Sequence, residues 1–142
     1  NALLHFSDWI FEFQKRHKAD QITSKNSKDG NPDGHWCKII FRKTPNETTG
    51  AEIKYPIRYG RTGGKSVWVE YEVFDSLVKW GFVEKAGSWI TVNQKLIDEL
   101  KQNKLEIPEK IQGEDAFTAN LEERPELTSY LFKKLKQTLT LA

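Results

Sequence analysis

Residues Phe74–Val92 read FDSLVKWGFVEKAGSWITV, and this stretch predicts a single supersecondary unit. It begins with an apolar helical face formed by Val73, Phe74, Leu77 and Val78. Gly81 follows as the expected left-handed stop of that helix. Two short apolar-rich runs then surround Ala86-Gly87, a pattern typical of a hairpin turn. We therefore expect a helix that leads directly into a hairpin at the centre of the fold.

The composition limits the class of protein. The chain has 142 residues, 37% of them hydrophobic and 30% charged, which suits one ordinary soluble domain or two small ones. It contains no apolar run of membrane-spanning length and no secretory signal region. The single cysteine, Cys37, excludes an internal disulfide and suits a reducing compartment, so we expect a cytoplasmic protein without a membrane partner. Because the chain has no methionine and begins with asparagine, it is expected to be a fragment.

Charge is spread along the chain. The net charge is +2, with ten Lys and Arg against seven Asp and Glu in residues 1–60, and twelve against thirteen in residues 61–142. Neither part is a polycation. Any contact with nucleic acid must therefore come from local patches.

Residues 1–60 predict a small antiparallel sheet. A short helix is expected over Ala2–Ser7, and Asp20–Gly34 has the composition of a loop. Alternating apolar residues predict strands at Trp9–Arg16, His35–Lys43 and Ala51–Tyr59. Pro56 removes a backbone donor, so its strand should have a free edge or a bulge there. The apolar face of this sheet needs a partner, because a lone small sheet is only marginally stable.

Residues 61–142 predict a second, mostly helical part. The glycine-rich Arg61–Lys65 is the expected connector. Helices are expected over about 69–80 and 93–103, the second capped by Asn93, with the hairpin over 82–92 between them. An extended run at Leu105–Ile111 and two further helices follow, the last starting at Pro125. The fold class is thus α+β, a small antiparallel sheet followed by a small domain of helices and a short hairpin.

No catalytic or metal site is predicted. Gly60–Ser66 resembles a phosphate loop, but the position five before Gly64 is Tyr59 where the pattern requires glycine, so a flexible connector is the better interpretation. The three histidines are scattered without metal-ligand spacing. No Ser-His-Asp or Cys-His arrangement can be assembled.

Several segments resemble RecA-type DNA recombinases, closest to the phage type. Val83–Trp89, VEKAGSW, is similar to a stretch of that family's C-terminal domain. Further similar pieces occur in family order at Asn1-Ala2-Leu3, Tyr59-Gly60 and Lys110–Gly113. The resemblance implies that residues 1–60 are the terminal strands of a RecA-like ATPase core. It implies that residues 61–142 are a RecA-like C-terminal DNA-binding domain.

The resemblance also implies a function. The full-length protein would be a DNA-dependent ATPase of homologous recombination and DNA repair, which uses ATP and Mg²⁺. It would form a filament with neighbouring protomers on single-stranded DNA and exchange strands with a duplex. This fragment lacks the phosphate loop. It would therefore bind neither ATP nor Mg²⁺ independently and would not be an enzyme alone.

The site residues are carried over from the resemblance one by one. Arg42 and Lys43 would contact the ATP phosphates of a neighbouring protomer, although only Lys43 is in register with the family's Lys-x-Lys. Tyr59 and Gly60 would lie near the adenine, and Lys85 and Lys110 would capture duplex DNA. From the residues alone, Arg42 and Lys43 are equally explained as solvated charges and Tyr59 as part of a buried strand face. Glu114-Asp115 stand where the family often has a lysine.

A different class of function stays open. The helix and hairpin also fit a free-standing, winged-helix-like module that binds DNA or protein. Such a module should be a stable monomer. A recombinase fragment should instead expose the aromatic face of Trp9, Phe11 and Phe13 and either self-associate or be partly mobile.

Overall fold

The computed structural model describes residues 5–24, 27, 30–45 and 48–141. The chain divides into two compact units, a first unit Asn1–Trp68 and a second unit Val69–Ala142. The matched Asn1-Ala2-Leu3 and the first half of the helix expected over Ala2–Ser7 fall outside the described residues, and His5 and Phe6 in its second half are helical. The fold is α+β, as the sequence predicts.

In the described part of the first unit, four strands form one sheet. They are β1 Ile10–Phe13, β2 Gln21–Ile22, β3 Gly34–Lys43 and β4 Glu52–Arg58. β3 is central, with β4 along one side and both β1 and β2 along the other, all antiparallel. β1 is shorter than the predicted Trp9–Arg16. The loop predicted over Asp20–Gly34 is wrong at its start, because Gln21 and Ile22 pair with β3 there.

The predicted apolar face of this sheet is present but open. The register places Phe11 opposite Phe41 and Phe13 opposite Ile39 on one face. The rings of Trp9, Phe11 and Phe41 cluster with centroids 5.2–6.3 Å apart. Even so, Trp9, Phe11 and Phe13 are 46%, 50% and 65% exposed. These side chains contact one another without being buried.

Pro56 lies on the outer edge of β4, but this edge is not free as predicted, and the register with β3 has no bulge there. The carbonyl of Pro56 accepts a hydrogen bond from the N–H of Trp68 at 2.8 Å, so this side of Pro56 faces away from β3. The N–H of Arg58 likewise donates to the carbonyl of Ser66 at 2.8 Å. Ser66–Trp68 therefore runs along β4, and the two units divide after Trp68, beyond the Arg61–Lys65 connector.

The second unit contains four helices and a three-stranded antiparallel sheet. In chain order these elements are α1 Val69–Lys79, β5 Val83–Ala86, β6 Trp89–Val92, α2 Gln94–Gln102, β7 Lys110–Gln112, α3 Glu114–Glu122 and α4 Pro125–Leu141. β6 is central between β5 and β7. The predicted helix and hairpin are confirmed, and Gly81 has the expected positive φ of 71°.

One core holds the second unit together. Its largest fully buried side chains include Leu77 of α1, Leu96 and Leu100 of α2, Phe117 and Leu121 of α3, and Leu127 and Leu131 of α4. In α4, Leu127, Leu131 and Leu135 are buried, whereas Leu139 remains exposed beyond the last core residue. None of the helices in the described part of the chain has the length and apolar character needed to cross a membrane.

Polar contacts complete the second unit. The side chain of Asn93 accepts a hydrogen bond from the N–H of Lys95 at 2.9 Å, which confirms the predicted cap of α2. The ammonium of Lys134 in α4 lies 2.7 Å from a carboxylate oxygen of Glu99 in α2, so it joins two helices.

Candidate functional site

Arg42 and Lys43 lie at the C-terminal end of β3. Arg42 forms an ion pair with Glu12 on the neighbouring β1. The guanidinium of Arg42 is the main cause that lowers the pKa of the Glu12 carboxyl. The ammonium of Lys43 lies 3.4 Å from the backbone carbonyl of His5. These two candidates for an ATP contact are therefore held by groups of their own unit.

Tyr59 and Gly60 lie at the opposite end of the same sheet. The hydroxyl of Tyr59 accepts a hydrogen bond from Arg16 at 2.7 Å, and its ring centroid is 5.3 Å from that of His35. Burial and then the charge of Arg16 lower the pKa of His35. Gly60 has a φ of 77° and nothing within 4 Å of where a Cβ would stand. This end combines two aromatic rings with a cation and an open backbone.

The two pairs of ATP candidates are far apart. β3 spans ten residues, and Arg58, which precedes Tyr59, pairs with its first residue, Gly34. At 3.4 Å per residue its ends are roughly 30 Å apart. Within one copy of the chain, Lys43 and Tyr59 therefore cannot contact the same nucleotide.

The structure places Lys85 and Lys110 on opposite faces of one sheet. Lys85 pairs with Ile90 in the register, whereas Lys110 pairs with Thr91. Paired residues share a face and successive residues alternate, so the two ammonium groups project from different sides. The buried Ile90 marks the inner side. We call the other side, formed by Glu84, Ala86, Trp89, Thr91, Lys110 and Gln112, the outer sheet face.

Lys85 has a partner on α3. Its ammonium forms an ion pair with Glu114, the first residue of that helix. A carboxylate is favoured at this position because the helix dipole is positive at its N-terminus. The hydrogen bond to Glu114 raises the pKa of Lys85. The acidic residue noted in the sequence is thus in direct contact with the candidate cation.

Trp89 is a residue that the sequence reasoning missed. It lies on the outer sheet face and is 42% exposed, and the ammonium of Lys110 lies 4.8 Å from its ring centroid. The signal was present in the alternation of WITV, where Ile90 and Val92 point to the core. Trp89 entered the sequence reasoning only as part of the matched VEKAGSW.

Among the described residues, neither the open cleft of the second unit nor the side chains that could ligate a metal give a competing binding site. An open cleft of about 490 Å³ lies between the α2–β7 loop and the α3–α4 junction. Its lining mixes Lys104 and Arg124 with three glutamates. Among the residues that the structure describes, no cluster of three His, Cys, Asp or Glu side chains could hold a metal ion.

Comparison with known proteins adds no relative. No family model matches the chain, and no curated protein is significantly similar to it. The relationship to RecA-type recombinases therefore stays a prediction. The same holds for the roles that it implies for Arg42, Lys43, Tyr59, Gly60, Lys85 and Lys110.

Proposed function

We propose that this chain is the C-terminal part of a RecA-type recombinase of homologous recombination and DNA repair, acting in the cytoplasm. The second unit captures DNA, and the first unit contributes contacts to ATP between neighbouring protomers of a filament on single-stranded DNA. The observation that carries the proposal is the exposed hairpin sheet of the second unit, which presents Lys85 and Lys110 on a complete core.

The hairpin suits the capture of phosphates. Lys85 lies beside the turn at Ala86-Gly87, and its side chain is 48% exposed. Lys110 stands on the outer sheet face, where its ammonium reaches the exposed Trp89. Lysine contacts to phosphates need little geometric precision, so each ammonium group can hold a phosphate from its own face of the sheet. Because the two groups project from opposite faces, they would contact different phosphates around the edge of the hairpin. The sheet is fixed to the core because Val83, Ile90 and Val92 on its inner side are buried.

The negative net charge of the second unit limits DNA binding by this unit to a few individual lysines. Residues 69–142 carry ten Lys and Arg against thirteen Asp and Glu. This unit therefore supplies no bulk attraction to DNA, and its own contribution to the affinity must depend on a few named lysines. With two phosphate contacts, the slope of log affinity against log salt should be about −2.

The first unit suits contacts to two different ATP molecules. Lys43 and Tyr59 lie at opposite ends of β3, which is compatible with Lys43 reaching a neighbour's ATP while Tyr59 lies near the protomer's own. A cation placed on the transferred phosphate would stabilise the charge that develops there. ATP and Mg²⁺ would bind in the full-length protein. We expect no ATP hydrolysis by this chain alone.

The proposal is tested by fluorescence anisotropy of labelled duplex DNA, without ATP and at two salt concentrations. We expect K85A with K110A to bind duplex several-fold more weakly and with a shallower salt slope, because two phosphate contacts are lost. The matched control is K101A, which removes an exposed lysine of α2. Equal weakening by K101A, or no binding by the unmodified chain at low salt, contradicts a local capture site.

The complete core of the second unit also favours a second candidate function. A helix and hairpin that bury their own apolar side chains could act as a free-standing, winged-helix-like module for DNA or protein. This alternative requires no filament and no ATP. It predicts a different oligomeric state for the chain.

A further inference from the structure

We propose that the outer sheet face binds an unpaired nucleobase of single-stranded DNA, with Trp89 stacking on the base and Lys110 contacting the adjacent phosphate. This inference rests on the proposed capture of DNA by the second unit. It goes further because it assigns the form of DNA that this face recognises and adds Trp89 as a binding residue.

The side chain of Trp89 is exposed to solvent on the outer sheet face. In β6 the neighbouring Ile90 is 1% exposed, whereas Trp89 is 42% exposed on the same rigid strand. Its cross-strand partners are Ala86 and Gln112, a small and a polar residue. Because neither partner is a large apolar side chain, a planar ligand can reach the indole. The core of the second unit is complete without this ring.

Lys110 supplies the cation beside the ring. It pairs with Thr91, two residues along from Trp89, and its ammonium lies 4.8 Å from the indole centroid. An exposed contact of this kind is weak, whereas a base stacked on tryptophan is bound more strongly. A base can therefore displace the ammonium from the ring. The displaced ammonium remains close enough to contact the phosphate of the same strand.

The charges on this face favour a single strand over a duplex. Glu84, Thr91 and Lys110 lie in one cross-strand row, so a carboxylate is in the same row as the cation. Phosphate contacts alone are therefore weak here, and the affinity must come mainly from stacking. The bases of a duplex are already stacked on one another. Only an unpaired base offers its face to Trp89.

The test compares W89A with W80A. Trp80 is a matched control because it is 41% exposed and belongs to the second unit, but it follows α1 and lies outside the sheet. Binding is measured by anisotropy with labelled oligothymidylate and with a duplex of the same length. We expect W89A to weaken binding of oligothymidylate roughly tenfold and to leave duplex binding unchanged. W80A should bind both DNAs like the unmodified chain.

Two further variants separate stacking from misfolding and from charge. W89F keeps an aromatic ring and should retain most of the affinity for oligothymidylate. K110A should reduce the slope of log affinity for oligothymidylate against log salt concentration by about one. Thermal unfolding followed by circular dichroism establishes that each variant is folded.

The possible results distinguish failure of the stacking role of Trp89 from failure of the proposed DNA capture on which it rests. Unchanged oligothymidylate binding by W89A, or an equal loss with W80A, overturns the role of Trp89. If K85A still weakens duplex binding in that case, the capture function stands. No binding of either DNA by the unmodified chain overturns both.

Discussion

At the scale of single residues, the contact between Lys85 and Glu114 decides how much charge the hairpin offers. Both side chains are partly exposed, and Glu114 is held at the N-terminus of α3. An exposed ion pair of this kind is weak because water screens both charges, so a phosphate can compete with Glu114 for the ammonium. If the hairpin binds DNA as proposed, the pair should weaken this attraction without abolishing it.

Removing this carboxylate should strengthen duplex binding. We expect E114Q to raise duplex affinity roughly threefold at low salt, because the ammonium of Lys85 no longer shares its charge with an anion. The measurement is the anisotropy titration at two salt concentrations. E106Q is the control, since it changes the net charge equally in the exposed α2–β7 loop. An equal gain from E106Q would assign the effect to net charge.

At the scale of elements, α2 and α4 are joined by a polar network. Glu99 accepts hydrogen bonds from Lys134 at 2.7 and 2.9 Å and from the hydroxyl of Tyr130 at 2.8 Å. The amide of Asn103 donates to the same hydroxyl at 3.1 Å. Lys134 and then Tyr130 lower the pKa of Glu99. The network therefore fixes α4 to α2 beside the shared apolar core.

Substitution of Glu99 should destabilise the chain in a pH-dependent way. We expect E99Q to lower the free energy of unfolding by about 1 kcal/mol at neutral pH. The folded pKa of Glu99 is depressed, so its contribution is present above the unfolded value of about 4.3 and is lost as pH falls through the lower folded value. The difference between E99Q and the unmodified chain should therefore close under acid conditions.

Urea unfolding at a series of pH values measures this difference. D98N is the control, because Asp98 is an exposed carboxylate of the same helix that accepts a hydrogen bond from Gln94. We expect its effect on stability to be small. A gap between E99Q and the unmodified chain that does not vary with pH would contradict the role of the ionised carboxylate.

At the scale of the whole molecule, the two units differ in how far their apolar side chains are buried and in their net charge. The second unit encloses one continuous core, whereas the first unit leaves the aromatic face of β1 open. Residues 1–68 carry twelve Lys and Arg against seven Asp and Glu, and residues 69–142 carry ten against thirteen. Exposed apolar patches mark sites of association, so we expect any self-association of the chain to involve the first unit.

Self-association separates the two candidate functions. If the chain is a recombinase fragment, sedimentation velocity should show concentration-dependent self-association, because Trp9, Phe11 and Phe13 are exposed together. The double variant F11S and F13S should then remain monomeric. F132S, which changes an exposed phenylalanine of the second unit, should behave like the unmodified chain. A monomer at all concentrations favours the free-standing module.

The sequence by itself determined the local elements of this protein. The helical spacing of Val73, Phe74 and Leu77 and the stop at Gly81 predicted the helix and hairpin, because both signals lie within a few residues of what they specify. Pro56 predicted a strand edge for the same reason, since the missing N–H is a property of that residue. The apolar alternation of β3 and β4 likewise predicted which residues share a face.

Only the tertiary structure decided which of these elements meet. The register of β7 against β6 puts Lys110 beside Trp89 and on the face opposite Lys85, although α2 separates the two strands in the chain. Glu114 reaches Lys85 across 29 positions, and Lys134 reaches Glu99 across 35. No periodicity encodes such pairs, because they depend on how separate apolar faces pack into one core.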